Sequence, residues 1–158
     1  MHSTRQHLIV IFAAAIVVVG AALASQYWGG LQPCELCLIE RWPYYAAIVI
    51  AVLALAIPVA GWPRAALLLL ALVFVASAVL GFYHVGVEQH WFRGPVACTS
   101  SNRVPQTLAE LKQMLAHTQV VMCDQVQWSL GGVSLAGWNF IASALIAIYA
   151  YFAWRQRA

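Results

Sequence analysis

The chain has 158 residues, of which 63% are hydrophobic and 8% charged, and its mean hydropathy is +0.80. Water-soluble domains carry about 25% charged residues, so most of this surface faces something other than water and the chain is a membrane protein. The net charge of +3, with no basic cluster and no stacking platform, argues against a nucleic-acid partner.

Taken in order, the apolar runs are bounded by charges. No Asp, Glu, Lys or Arg occurs from Gln6 to Cys34, and Leu8–Ala24 is unbroken apolar sequence. Trp42–Pro63, Ala65–Val87 and Gln125–Trp154 are further runs, each long enough to supply the ~20 residues that cross ~30 Å of hydrocarbon. Helices are expected, because isolated strands leave backbone groups unsatisfied in lipid. The expected architecture is an all-α, four-helix transmembrane bundle forming a single domain over residues 1–158. Its spans fall near 8–27, 42–61, 65–84 and 132–154, with outer loops near 28–41 and 85–131. Pro43 suits the first turn of helix two, where a missing N–H costs nothing, and Pro58 lies near that helix's end. Tyr27, Trp28, Trp42, Tyr44, Trp62, Trp91, Trp128 and Trp154 fall near the boundaries, as an aromatic belt requires.

The start also has the outline of a signal peptide: Arg5, an apolar run, then Ala22-Leu23-Ala24. Its 17 apolar residues exceed the usual ~7–15 of a signal core, so the first run is expected to remain as a span. Cleavage would leave the later topology unchanged.

Charge divides the two sides. Arg5, Arg64, Arg155 and Arg157 flank the spans on one side without acidic company. The other side holds Arg41, Arg93, Arg103 and Lys112 with all five acids, Glu35, Glu40, Glu88, Glu110 and Asp124. The positive-inside bias then places both termini and the Gly61–Arg64 turn in the cytoplasm. Parity puts Cys34 and Cys37, after crossing one, on the same outer face as Cys98 and Cys123, after crossing three. In a bacterium that face is the compartment where disulfides persist.

Within the outer segment, Pro105–Ala116 has helical periodicity, with Leu108, Leu111, Met114 and Leu115 on one face. A short helix lying in the membrane interface is expected there.

Four cysteines allow three pairings. The Cys34-x-x-Cys37 spacing can close a small disulfide, and a helix N-terminus beside it stabilises a thiolate. Cys37 is expected just ahead of helix two, with Arg41 four residues on. Glu35 and Glu40 act in the opposite sense. The spacing is equally compatible with a structural or metal-binding role, although a zinc site asks for a second close pair, and Cys98 and Cys123 stand far apart in sequence. No metal is expected. Cys98 lies in the turn-rich stretch Gly94–Ser101, which reads as exposed, the setting of a labile disulfide. A structural staple fits the second pair as well. A C-x-x-C-H haem site is excluded, because Leu38 follows Cys37.

Pro33-Cys34-x-x-Cys37-x-x-x-Arg41 after a first span, a second cysteine pair between spans three and four, and a four-span length resemble the DsbB family. The resemblance covers essentially the whole chain. It implies a bacterial inner-membrane, quinone-dependent protein-dithiol oxidoreductase that reoxidises a periplasmic DsbA-like thiol oxidase. It further implies that Cys98 and Cys123 form the loop disulfide, with Cys98 the point of attack, and that Cys123 hands on to Cys34. Cys37 then faces the quinone (ubiquinone or menaquinone), and Arg41 stabilises negative charge on its oxygen. His84, at the outer end of span three, is placed like a family histidine near the ring. The stretches Gly81–His84 and Ser134–Asn139 read as a variant subgroup, and Asn139 is expected to bond another helix.

Two rivals remain. A relative of vitamin K epoxide reductase also joins a C-x-x-C and a loop pair to a quinone, but with its C-x-x-C late in the bundle. A non-catalytic membrane adaptor would carry the same cysteines as structural disulfides.

Overall fold

Each crossing begins or ends where the sequence changes its backbone options. In the computed structural model, residues 2–57, 59–95, 98, 107–109, 112 and 121–156 are described. Helix α1 runs from His2 to Tyr27, about 39 Å at 1.5 Å per residue. A five-residue helix, α2 (Glu35–Ile39), leads into α3 (Trp42–Ala56). Pro43 accounts for the break between them: its ring collides with the carbonyl four residues back, that of Ile39, where α2 stops. The backbone bridges the gap, with the Arg41 N–H donating to Leu38 O (3.2 Å) and the Tyr45 N–H to Arg41 O (3.1 Å).

Helix α4 (Trp62–Glu88) begins after Gly61, whose φ of +79° sits in the left-handed region, and has Pro63 in its first turn. It extends past His84 to Glu88, so the third crossing is longer outward than residues 65–84. A feature not foreseen from sequence is a two-stranded antiparallel hairpin, β1 (Ser129–Leu130) and β2 (Val133–Ser134). Gly131 and Gly132 turn it with φ of +62° and +80°, the combination a tight hairpin turn needs. Ser134 then caps α5 (Leu135–Arg155) by accepting the Gly137 N–H.

Among the described residues, four helical segments, Thr4–Tyr27, Glu35–Ala56, Trp62–Glu88 and Leu135–Arg155, are long and apolar enough to span a membrane. The molecule is a mostly helical, multi-pass membrane protein. Its apolar residues point outward: Val17, Val49, Leu72, Val79 and Leu145 each expose more than half their surface. The interior is built from small residues, Ala15, Ala47, Ala54, Ala66, Ala71, Ala147, Ala150 and Ala153, around Leu8, Ile11, Leu67, Leu70 and Phe74. Lipid is as apolar as leucine, so close backbone approach holds membrane helices together. The interfacial helix expected over Pro105–Ala116 lies largely outside the described residues.

Tyr44 departs from the expected aromatic belt. Only 2% of it is exposed, and it packs edge-on against Phe74 at 5.3 Å. Its hydroxyl donates to Asn139 Oδ1 (2.7 Å) and meets Ser143 Oγ (2.8 Å), which in turn meets Ser77 Oγ (2.9 Å). With one proton per hydroxyl, Ser77 donates to Ser143, Ser143 to Tyr44 and Tyr44 to Asn139. This thread ties α3, α4 and α5 together, and it meets the expectation that Asn139 bonds a neighbouring helix.

Helices α4 and α5 approach closely at Gly81, where an added Cβ would stand 3.0 Å from Phe140 Cα and N. The opposing atoms are backbone, so relief requires parting the helices. Gly81→Leu is therefore expected to destabilise the bundle by about 1–3 kcal/mol. Unfolding in mixed detergent micelles measures this, and a variant as stable as the parent disproves the packing account.

Candidate redox site

Cys34 is the N-cap of α2, and its Sγ accepts the Cys37 N–H at 3.2 Å. Cys37 sits inside the short helix α2, which precedes α3, the helix of the second apolar run. The two sulfurs stand 2.7 Å apart; both are free thiols, and only a small movement separates them from the ~2.05 Å of a disulfide. The hydrogen bond shared with the Cys37 side chain first, then the Cys37 N–H, holds the Cys34 thiol below its ordinary range, while burial and the Glu40 charge oppose.

Helix α4 delivers His84, which is buried beside Cys34, its Nε2 lying 3.6 Å from Cys34 Sγ. On the far side of the ring, Nδ1 lies 2.9 Å from Glu40 Oε1. A carboxylate there takes the Nδ1 proton as its hydrogen-bond donor, so Nε2 presents its lone pair to the sulfur. Glu40 itself is buried, and its backbone N–H is satisfied by Leu36 O and Leu38 O. Sequence reasoning missed this partnership, counting Glu40 only as a charge acting against the thiolate. The available signal was a carboxylate at the edge of an apolar run, where burial demands a partner.

Arg41 Nη1 donates to Gln26 Oε1 at 2.7 Å, which joins the end of α1 to the start of α3. Among the described residues no carboxylate pairs with Arg41, so its charge is free to act on the cleft it borders. That cleft has a volume of about 650 Å³ and opens between the helices, with Cys34, Cys37, Arg41, His84, Trp138 and Asn139 on its wall. Its lining is mainly apolar. One buried donor there, Asn139 Nδ2, has no hydrogen-bond partner among the described residues.

Cys98 and Cys123 are joined in a disulfide, with Cα atoms 5.2 Å apart. The expected exposure of Cys98 is not found: both half-cystines are 1% exposed. They pack with Cys34, Leu36 and Val87 in one buried cluster, flanked by Cys37, Tyr83 and Val121. The aliphatic cover from α2, α4 and residue 121 explains the burial, which the turn-rich local sequence could not reveal. All six residues singled out from the sequence therefore gather at one end of the bundle, Arg41 on the cleft wall beside the cysteine cluster.

A helical membrane bundle holding a C-x-x-C dithiol and a buried disulfide in one cluster defines a membrane thiol–disulfide protein. The sequence model described as "Disulfide bond formation protein DsbB" matches residues 4–153, and the chain belongs to the DsbB family of disulfide bond formation proteins. Among its relatives is the Disulfide bond formation protein B of Aromatoleum aromaticum, 29% identical over 94% of this chain and 90% of that protein. Another, of the same name in Verminephrobacter eiseniae, is 27% identical over 91% of this chain and 82% of its own length. A Rickettsia prowazekii protein, described as the uncharacterized protein RP370, is 27% identical over 89% of this chain and 82% of that protein. No solved structure matches.

The depressed thiol makes a pH prediction. A lowered pKa means that the Cys34 thiolate appears at lower pH than an ordinary thiol, whose midpoint is about 8.5. Removing that side-chain hydrogen bond in Cys37→Ala is expected to move that midpoint upward. Thiolate ultraviolet absorbance of the reduced chain against pH, with Cys34→Ser as the blank, measures it. An unmoved or lowered midpoint refutes the assignment.

Proposed function

We propose that this chain reoxidises a periplasmic DsbA-like dithiol oxidase through Cys98–Cys123 and passes the electrons through Cys34–Cys37 to a membrane quinone. The observation that carries the reading is that both cysteine pairs share one buried cluster, with Cys34 and Cys37 also on the wall of an apolar cleft. The positive-inside reading puts the cysteine face in the periplasm and both termini in the cytoplasm of a bacterial inner-membrane protein.

Exchange proceeds by thiolate attack on a disulfide sulfur. A partner thiolate attacks Cys98 Sγ, breaking the Cys98–Cys123 bond and leaving Cys123 as a thiolate. Cys123 attacks Cys34 of an oxidised Cys34–Cys37 pair, forming Cys34–Cys123 and releasing the Cys37 thiolate. The partner's second thiolate attacks its own mixed disulfide, leaves oxidised and frees Cys98. Cys98 then attacks Cys123, which restores Cys98–Cys123 and leaves both electrons on Cys34 and Cys37. That final arrangement is the one held here, a loop disulfide beside a free C-x-x-C pair.

The cleft fits a quinone headgroup: an apolar wall, one cationic donor in Arg41, and an unpaired amide donor in Asn139 for a ring carbonyl. A bound quinone would supply an acceptor for two electrons and two protons. Around it, Arg41 stabilises negative charge on a ring oxygen. His84 Nε2 takes the proton of Cys34, and Glu40 balances the imidazolium that results. Leu36 and Val87 keep water from the sulfurs.

Purified protein given a reduced DsbA-like partner and either ubiquinone or menaquinone is expected to turn over, followed by quinone absorbance. Cys37→Ser and Cys98→Ser abolish turnover. Arg41→Ala lowers kcat/KM for quinone by about 100-fold while leaving the KM for the partner in place. A parent protein inert with several quinones and a competent partner sinks the proposal.

A further inference from the structure

We propose that the reduced Cys34–Cys37 pair and His84 form a binding site for a thiophilic divalent cation of the zinc class, open only in the dithiol state. Cys34 Sγ, Cys37 Sγ and His84 Nε2 all lie within 4.8 Å of one another. In a tetrahedral site with Zn–S of about 2.3 Å and Zn–N of about 2.0–2.1 Å, neighbouring donors stand about 3.5–3.8 Å apart. The Cys34 Sγ to His84 Nε2 separation is already 3.6 Å. The sulfurs, at 2.7 Å, need to part by about 1 Å, within reach of a χ1 adjustment at Cys37, the less buried of the two.

The surroundings are those of a ligating histidine. Glu40 Oε1 holds the Nδ1 proton at 2.9 Å, and a carboxylate in that position fixes the tautomer and the ring orientation of a metal-bound imidazole. Three protein donors leave a fourth position facing the cleft, as in open zinc sites. A second close cysteine pair is therefore unnecessary: span three contributes the third ligand from 47 residues beyond Cys37 in the chain.

Binding transfers no electrons. Two S–H bonds are replaced by two metal–thiolate bonds and two protons are released. A Cys34–Cys37 disulfide offers no thiolate, so oxidation closes the site. On the function proposed above, an occupying cation holds the pair reduced and stops the relay between partner and quinone until the metal is withdrawn.

The test uses full-length Cys98→Ser/Cys123→Ser protein, reduced, freed of reductant without air, and titrated with Co²⁺ in detergent micelles. One Co²⁺ per chain is expected, with thiolate-to-cobalt charge transfer in the near ultraviolet and d–d bands of tetrahedral intensity, displaced by Zn²⁺. Cys37→Ser abolishes the signal. His84→Gln keeps the charge-transfer band but loses tetrahedral intensity, and Glu40→Gln weakens binding by about 10–100-fold. Circular dichroism and gel filtration report whether each variant folds, and the oxidised chain, silent on this account, needs no substitution at all. A reduced chain that binds no Co²⁺, or an oxidised chain that binds it equally, overturns the site. So does binding unchanged in both His84→Gln and Glu40→Gln. Absorption reads the site without turnover, so a chain inert toward quinone that still binds Co²⁺ sinks the relay and leaves the site standing.

Discussion

Glu40 and His84 meet 2.9 Å apart in the buried end of the bundle, and the position of every reactive group near them follows from that contact. Neither side chain tolerates an apolar setting without a partner. Glu40 is carried by the turn between α2 and α3, His84 by α4, so their pairing clamps the C-x-x-C segment against the third crossing. The same contact turns Nε2 toward Cys34. One interaction therefore sets both where the dithiol sits and which atom of the imidazole addresses it.

The rest of the bundle makes that clamp possible by keeping its polar chemistry in short, closed chains. Tyr44, Asn139, Ser143 and Ser77 form a directed thread in which each hydroxyl proton has one acceptor. Alanines let the helices approach, and the bulk of the aliphatic surface is left for lipid. Among the described residues, the leftover amide hydrogens of Asn139 and the guanidinium of Arg41, which has no carboxylate partner, stand out against this economy. Both border the same cleft, where an oxygen-bearing ligand could use them.

Burial of the Cys98–Cys123 bond changes how access to it must be understood. A disulfide covered by Leu36, Val87 and Tyr83 is shielded from casual thiols; on the proposed relay, that cover protects the oxidising equivalent while no partner is docked. In the same proposal, its packing against Cys34 serves the opposite end of the exchange, since the receiving sulfur is already in the cluster. Protection outside and proximity inside come from the same aliphatic residues.

The four crossings and the mostly helical class were legible from residue order alone. Charge cannot cross hydrocarbon unpaired, and that rule acts on local composition, run by run. The glycine pair at Gly131-Gly132 carried an equally local signal for the hairpin. Tyr44 inside the core, Glu40 as the histidine's partner, Gln26 on Arg41 and the burial of Cys98 were decided by the tertiary structure. Each depends on which helix faces meet, across separations such as the 44 residues from Glu40 to His84. Hydropathy is blind to that choice, because in a membrane every face of a helix is apolar enough to look outward.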